Sequence, residues 1–255
     1  MKKKYIVLLI LVALFAGFYY FTPTIESIVK KIVNKYGSEI TGTEVSLDGF
    51  KLALTNGEGR ISKITVANPK EYSTPYVFSL EEIGVKVNIK SLTTDTVIVD
   101  SIEINKPVIT YEMLSLTRNN ISEIQKNVQK NTAKTVKKEE KVEKAPENKS
   151  GADTGKKVII KDLIVKDGEI QAVALKGKGL NVKLPTIHMK NIGEQKKGAS
   201  VAETISKVLN QILSTASQTI VKSNISDLKG VAEENLDKVV GGVKERVKSI
   251  GIFGK

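Results

Sequence analysis

The chain has 255 residues, room for one large domain or two modest ones and not for a large multidomain enzyme. Hydrophobic residues make up 40% of it but aromatics only 5%, with no Trp, so a core must be built from Ile, Val and Leu, a choice that favours strands. The absence of Cys excludes disulfides, thiolate metal sites and cysteine nucleophiles, and the formal charge of +12 lacks the aromatic and Arg interleaving of a base-stacking surface, which argues against nucleic acid as a partner.

Residues Tyr5 to Phe21 read YIVLLILVALFAGFYYF, an uncharged run of about 17 residues at the short end of what spans a bilayer as a helix. Tyr5, Leu8, Leu11 and Phe15 lie in this run, and Tyr19 and Tyr20 with Phe21 make an aromatic girdle at its far end. A cleavable leader needs small residues before its cut, but the nearest candidate, Leu14-Phe15-Ala16, begins with Leu. Residues 1–22 therefore predict a retained single-pass anchor. Lys2, Lys3 and Lys4 abut the run whereas Lys30, Lys31 and Lys35 are spaced from it, so the N-terminus is expected inside and the body outside.

Pro23 can open a helix, and Ile25, Ile28, Val29, Ile32, Val33 and Tyr36 recur at helical spacing until Gly37. It reads either as a membrane-surface element or as a helix packed on a sheet. From Thr43 the period becomes two: Val45 and Leu47, a slip at Asp48-Gly49, then Phe50, Leu52 and Leu54, with Asn56-Gly57 closing a hairpin. Ile64 and Val66 continue in a second strand, and Ile83, Val85, Val87 and Ile89 give the cleanest alternation in the chain. Val97–Val99 and Ile102–Tyr111 follow, with Pro107 marking an edge or a bend. The first block thus occupies residues 23–112.

Residues 113–157 predict a weak helix to about Gln125 and then a disordered tract of Lys, Glu, Asn and Thr. Strands return over 158–190: Val158–Val165, Glu169–Leu175, then Leu180, Val182 and Leu184 after the Gly177-Lys178-Gly179 turn. Within 191–222, Ser200-Val201-Ala202-Glu203 is a capping box for a helix striped by Ile205, Val208, Leu209, Ile212 and Ala216. In the final stretch, 223–255, Leu236, Val239, Val240, Val243, Val247 and Ile250 share one helical face, weakened by Gly241-Gly242.

Chemistry-bearing sets are sparse. His188 is the sole histidine and sits in a strand-like IHMK, so neither a histidine metal site nor a His-centred triad has its parts. Asp95, Asp100 and Glu103 have the spacing of strand-end solvating charges. No catalytic residue, cofactor or metal is expected, and the chain is not expected to be an enzyme.

Two segments carry a family resemblance. GEGRISKITVANPKEYSTPYVFSLEEIGVKVNIKSLTTDTVIVDSIEINKPVITYE, with its glycine turn, ANP-type strand end and I-x-I-x-x-P, resembles the start of the AsmA-like proteins. KVIIKDLIVKDGEIQAV, with LPTIHMKNIGEQKKGASVAETISKVLNQIL, resembles the later part of small members. The resemblance implies a bacterial inner-membrane protein with its body in the periplasm, and a β-groove related to chorein-type lipid-transfer proteins. It further implies a role in envelope maintenance, outer-membrane biogenesis and phospholipid transport. The fold class expected is α+β, mainly β: an N-terminal transmembrane helix and a curved antiparallel sheet or groove with amphipathic helices at its ends. About eight strands at roughly 4.8 Å apiece would give a trough of about 40 Å. The lipid-contacting candidates are then Val45, Leu47, Leu52, Leu54, Ile64, Val66, Ile83, Val85, Val87 and Ile89. Expected partners are membrane phospholipid and an envelope protein or a second copy. The alternative is a scaffold whose greasy sheet face is packed by its own helices.

Overall fold

The computed structural model describes residues 25–115, 117–143, 156–173 and 179–223. The expected anchor at 1–22 and the C-terminal stretch at 224–255 lie outside the described residues; among the described residues no helix is long and apolar enough to cross a membrane.

Ten strands join in one sheet: β1 (Val45–Leu52), β2 (Glu58–Ala67), β3 (Tyr76–Val87), β4 (Thr96–Asn105), β5 (Val108–Ser115), β6 (Arg118–Asn119), β7 (Lys157–Lys166), β8 (Glu169–Val173), β9 (Gly179–Lys183) and β10 (Ile187–Ile192). The β1–β2 hairpin closes as Asn56-Gly57 predicts. Gly57 has φ +75°, and a Cβ there would lie 2.1 Å from the Val87 carbonyl oxygen, so no other residue fits.

Several of these strands are halves of longer ones. Against β3, Ile104 of β4 faces Ile83 and Ile109 of β5 faces Phe78, one continuous register interrupted only by a bend at Lys106-Pro107. The same holds for β7 and β8 across Asp167-Gly168, and for β9 and β10 across Leu184–Thr186. The sheet is therefore six long rows: β1, β2, β3, β4–β5, β7–β8 and β9–β10, with the two-residue β6 appended to β5. Six rows span about 24 Å, shorter than the trough expected from sequence.

Two further expectations are corrected. The sheet is mixed and not wholly antiparallel: β4–β5 runs parallel to β7–β8, with Thr96 opposite Lys157 and Glu112 opposite Val173. Parallel neighbours need a long crossover, and residues 116–156 supply it. That crossover is also not a linker from residue 126 onward. Met113 to Ser115 complete β5, and a helix runs Asn120–Glu143. Its apolar stripe is sparse, yet Ile121, Ile124 and Val128 are fully buried and Val136 packs behind them, so tertiary burial overrides a polar composition.

Among the described residues three helices, α1 (25–41), α2 (Asn120–Glu143) and α3 (Val201–Lys222), join the core of the sheet; α1 lies at its β1 edge, as expected, while α2 and α3 pack over its face. α1 continues past Gly37 because the missing side chain is where β1 comes close: a Cβ there would lie 2.8 Å from Val45 Cγ1. Ser38 Oγ and Asn34 Oδ1 accept the backbone N–H groups of Val45 and Leu47, each at 2.9 Å, so α1 caps one edge of the sheet. Gln125 Nε2 donates to Ser214 Oγ, and Asn127 Nδ2 to the Thr41 carbonyl, tying α2 to α3 and to α1. The capping box forms: Glu203 N–H donates to Ser200 Oγ at 3.2 Å, and Ser200 N–H to Glu203 Oε2 at 3.3 Å.

Candidate functional site

Reading across the rows reveals apolar rungs. One rung runs Val45, Val66, Phe78, Ile109, Ile170, Val182, each residue directly opposite the next. A second runs Phe50, Ile61, Ile83, Ile104, Val165, Ile187, and a third Leu52, Gly59, Val85, Ile102, Leu163, Met189. A strand with a strict two-residue rhythm could not supply these rungs, because odd and even positions alternate faces. The switch happens on a line that crosses every row, at Asp48, Lys63, Glu81, Lys106, Asp167 and Pro185. Three of these have positive φ although none is glycine: Lys63 (45°), Lys106 (53°) and Asp167 (55°). Such a residue costs about 1–2 kcal/mol; here each acts as a swivel that returns the next aliphatic side chain to the covered face.

The rungs differ in cover. Val45, Val66, Phe78, Ile109 and Ile170 are buried, as are Phe50, Ile83, Ile104, Val165 and Ile187. On the third rung only Leu163 is buried, and Leu52, Val85, Ile102 and Met189 are half-buried. The helices show the same gradient. Tyr36 and Ile40 at the C-terminal end of α1 are buried but Ile25, Ile28, Val29, Ile32 and Val33 only half so. In α3, Ile212, Leu213, Ala216 and Ile220 are buried, while Val201, Ile205, Val208 and Leu209 are half-buried. The described start of α1 lies towards the half-covered rung, and α3 starts beyond it, past the Ile160–Ile192 pair. α1 runs antiparallel to β1, with Asn34 at Leu47 and Ser38 at Val45, and α3 starts beside the first residues of β7, where Val158 bridges Ala199. The result is a half-covered apolar band along the third rung, the mouth, lying between the filled rungs and a further row in which Val87, Ile160 and Ile192 are buried.

Of the sequence-predicted contacts, Val45, Val66 and Ile83 are buried in one core with the helix side chains, Leu47 and Val87 are buried outside that cluster, and Leu52, Ile64 and Val85 are half-buried. Leu54 and Ile89 are corrected: Leu54 sits in the hairpin turn and Ile89 in a 3-10 turn (Ile89–Thr93), so neither extends a strand. Alternation missed Ile61, Ile102, Met189 and the α3 residues, because the parity switch falls at charged positions that read as ordinary outward side chains. The anchor residues Tyr5, Leu8, Leu11, Phe15, Tyr19 and Tyr20 lie outside the described residues.

The opposite face is polar and ionic. Arg60 meets Glu82 at 2.7 Å, Lys86 meets Glu58 at 3.3 Å, and Lys166 meets Glu103 at 2.6 Å, all solvent-exposed. Asp100 is held by Lys161 at 2.6 Å, and His188 lies 2.6 Å from Asp162. These are cross-strand pairs of modest individual worth that keep this face wet.

At the end remote from the mouth, Glu112 is buried and accepts hydrogen bonds from the backbone N–H and hydroxyl groups of Ser73 and Thr74. Burial alone would push its carboxyl up, but these four donors outweigh it and hold it below the usual carboxylate range. Asn120, fully buried, accepts from Glu112 N–H and donates to the Thr110 carbonyl and Asn68 Oδ1. Tyr72 donates to Glu123 at 3.2 Å; burial first, then that carboxylate, pushes its phenol up to about 12. Every partner is protein, so this cluster clamps the 68–75 loop to the start of α2.

Compared with the curated proteins, the chain matches none. Compared with known families, residues 4–241 match the AsmA family. That stretch takes in all six rows, the three helices and the apolar N-terminal run, so this chain belongs to the AsmA family.

Proposed function

We propose that this chain is an anchored, non-catalytic protein of the bacterial inner membrane, with its body in the periplasm, that holds the acyl part of a phospholipid in the half-open mouth. Membership of the AsmA family supports a role connected with the cell envelope. The observation that carries the lipid reading is the position of the mouth. Its wall includes the first described residues of α1, from residue 25, and the apolar run ends four residues earlier in the sequence, at Phe21. The intervening residues reach at most about 14 Å, so an anchored chain presents its apolar opening to the bilayer surface. An acyl segment of about six methylenes sheltered there gains roughly 5 kcal/mol, enough to retain a lipid without polar recognition.

The sealed rungs limit the mechanism. A trough filled from Val45 to Ile187 by its own helices supports a loader or adaptor beside the membrane, and it also favours the second reading, a scaffold with an ordinary packed core. Native mass spectrometry of the full chain in mild detergent separates them. Phospholipid copurifies with the wild type and is lost in Val85→Asp/Ile102→Ser with the circular dichroism of the sheet retained. A wild type carrying no lipid leaves the scaffold.

A further inference from the structure

We propose that the outer edge of the sheet, along β9 and β10, receives an extended segment of a partner protein as a further row, one that alternates aliphatic with acidic side chains. The two edges of the sheet are finished differently. At β1 the backbone N–H groups of Val45 and Leu47 are taken by Ser38 and Asn34 of α1, whereas among the described residues no strand pairs with the far side of β9–β10. The groups presented there follow from the ladder, because residues of an antiparallel pair alternate between bonded and unbonded positions. Leu184 donates its N–H to the Gly168 carbonyl, so Leu184, Val182 and Leu180 bond to β8 while Gly179, Asn181 and Lys183 turn their backbone groups outward. Val158 exchanges both hydrogen bonds with Ala199, on the β10 side of β7. Ile160, Asp162 and Ile164 therefore face β10, which leaves Ile187, Met189 and Asn191 turned outward. Such a row of donors and acceptors is a template for another strand.

The side chains specify what that strand carries. On the covered face, the rung through Ile109 and Ile170 ends at a half-buried Val182, and Leu180, two positions along β9, is 40% exposed although its cross-strand neighbour Ala172 is buried. An aliphatic residue from a further row completes the rung and takes this surface out of water. On the polar face, inner rows meet with opposite charges, as in Arg60–Glu82, Lys86–Glu58 and Lys161–Asp100. The last row presents Lys183, His188 and Lys190 and no acidic side chain. Glu169 and Asp162 face Lys183 and Lys190 from the inner side, which leaves the outer side for carboxylates of an incoming strand. A second copy fits less well: it brings the same lysines to this edge, and its own β1 edge is closed by α1. The docking is independent of lipid in the mouth.

The test is fluorescence anisotropy of the full chain in mild detergent with two labelled peptides, one alternating Val and Glu and the other alternating Val and Lys. The wild type is expected to bind the Val–Glu peptide several-fold more tightly than the Val–Lys peptide. Asn181→Pro removes an outward donor and no ladder bond, so it is expected to weaken binding several-fold with the circular dichroism of the sheet retained. Lys183→Glu/Lys190→Glu is expected to reverse the preference between the peptides, and it decides the matter should Asn181→Pro fail to fold. Hydrogen exchange at Asn181 and Lys183 is expected to slow only when the Val–Glu peptide is present. Equal binding of the two peptides, binding of neither, or a preference that survives the charge reversal overturns the proposal. A dimer that Asn181→Pro splits overturns it in favour of a second copy. Slow exchange at Asn181 and Lys183 before any peptide is added overturns it in favour of cover by the chain itself.

Discussion

Glu112 shows how one side chain can hold two distant pieces of chain together. Its carboxylate takes four hydrogen bonds from Ser73 and Thr74, and its backbone N–H goes to Asn120. Glu112→Gln leaves all four donors without a charged acceptor and turns an amide NH2 towards two of them, and is expected to cost about 1–3 kcal/mol in urea unfolding. Because folding lowers this carboxyl's pKa, the stabilisation is fully present above the unfolded value, near 4.3, and is lost as pH falls through the folded one. Wild type and Glu112→Gln should therefore converge in stability towards low pH, and a constant difference across the acid range would refute this assignment. The swivels make a second case. Lys106, at φ 53°, donates its backbone N–H to the Lys166 carbonyl at 3.0 Å. Lys106→Gly is expected to be neutral or stabilising by up to about 1 kcal/mol, and Lys106→Val destabilising by about 1–2 kcal/mol, read from urea midpoints.

For the elements, local signals and tertiary burial carried different parts of the outcome. The capping box at Ser200–Glu203, the Asn56-Gly57 hairpin and the alternation from Ile83 to Val87 were all legible, because each is a local rule satisfied by adjacent residues. Ser200→Ala is expected to lower stability by about 1 kcal/mol, measured by thermal unfolding of the full chain. The extent of α2 was not legible: between Lys126 and Glu143 only Val128, Ala133, Val136 and Val142 break a polar run, and the burial of Val128 and packing of Val136 that offset its ordering are not registered by a local window. The fusion of β7 with β8, and of Val97–Val99 with Ile102–Asn105 in β4, was equally hidden. Pro107 was legible as a bend within Ile102–Tyr111, but the break before Ile102 and the turn at Gly168 read as strand ends, whereas the pairing partners on both sides carry the register straight through. The parity switch compounds this: a charged residue in the left-handed region looks, in sequence, like any outward-facing lysine or aspartate.

Taken as a whole, the described part of the molecule is a six-row sheet whose covered face is unevenly filled, with a half-covered band at Leu52, Val85, Ile102 and Met189 between the buried first and second rungs and the buried Val87, Ile160 and Ile192. Two-residue periodicity identified an oily face, but a filled interior and a trough share that rhythm, and the difference lies in which helices return over which rungs. The proposed meaning of that unevenness rests on the sequence continuity between the N-terminal apolar run and α1, which borders the half-covered band. The most direct test of that meaning is photo-cross-linking with a phospholipid carrying a diazirine near its acyl terminus, followed by mapping of the labelled residues in the full chain. The account predicts label on the mouth, at Leu52, Val85, Ile102, Ile205 and Leu209, and none on Val45, Ile109 or Ile170. Label spread evenly over all three rungs, or confined to residues outside the mouth, would contradict it.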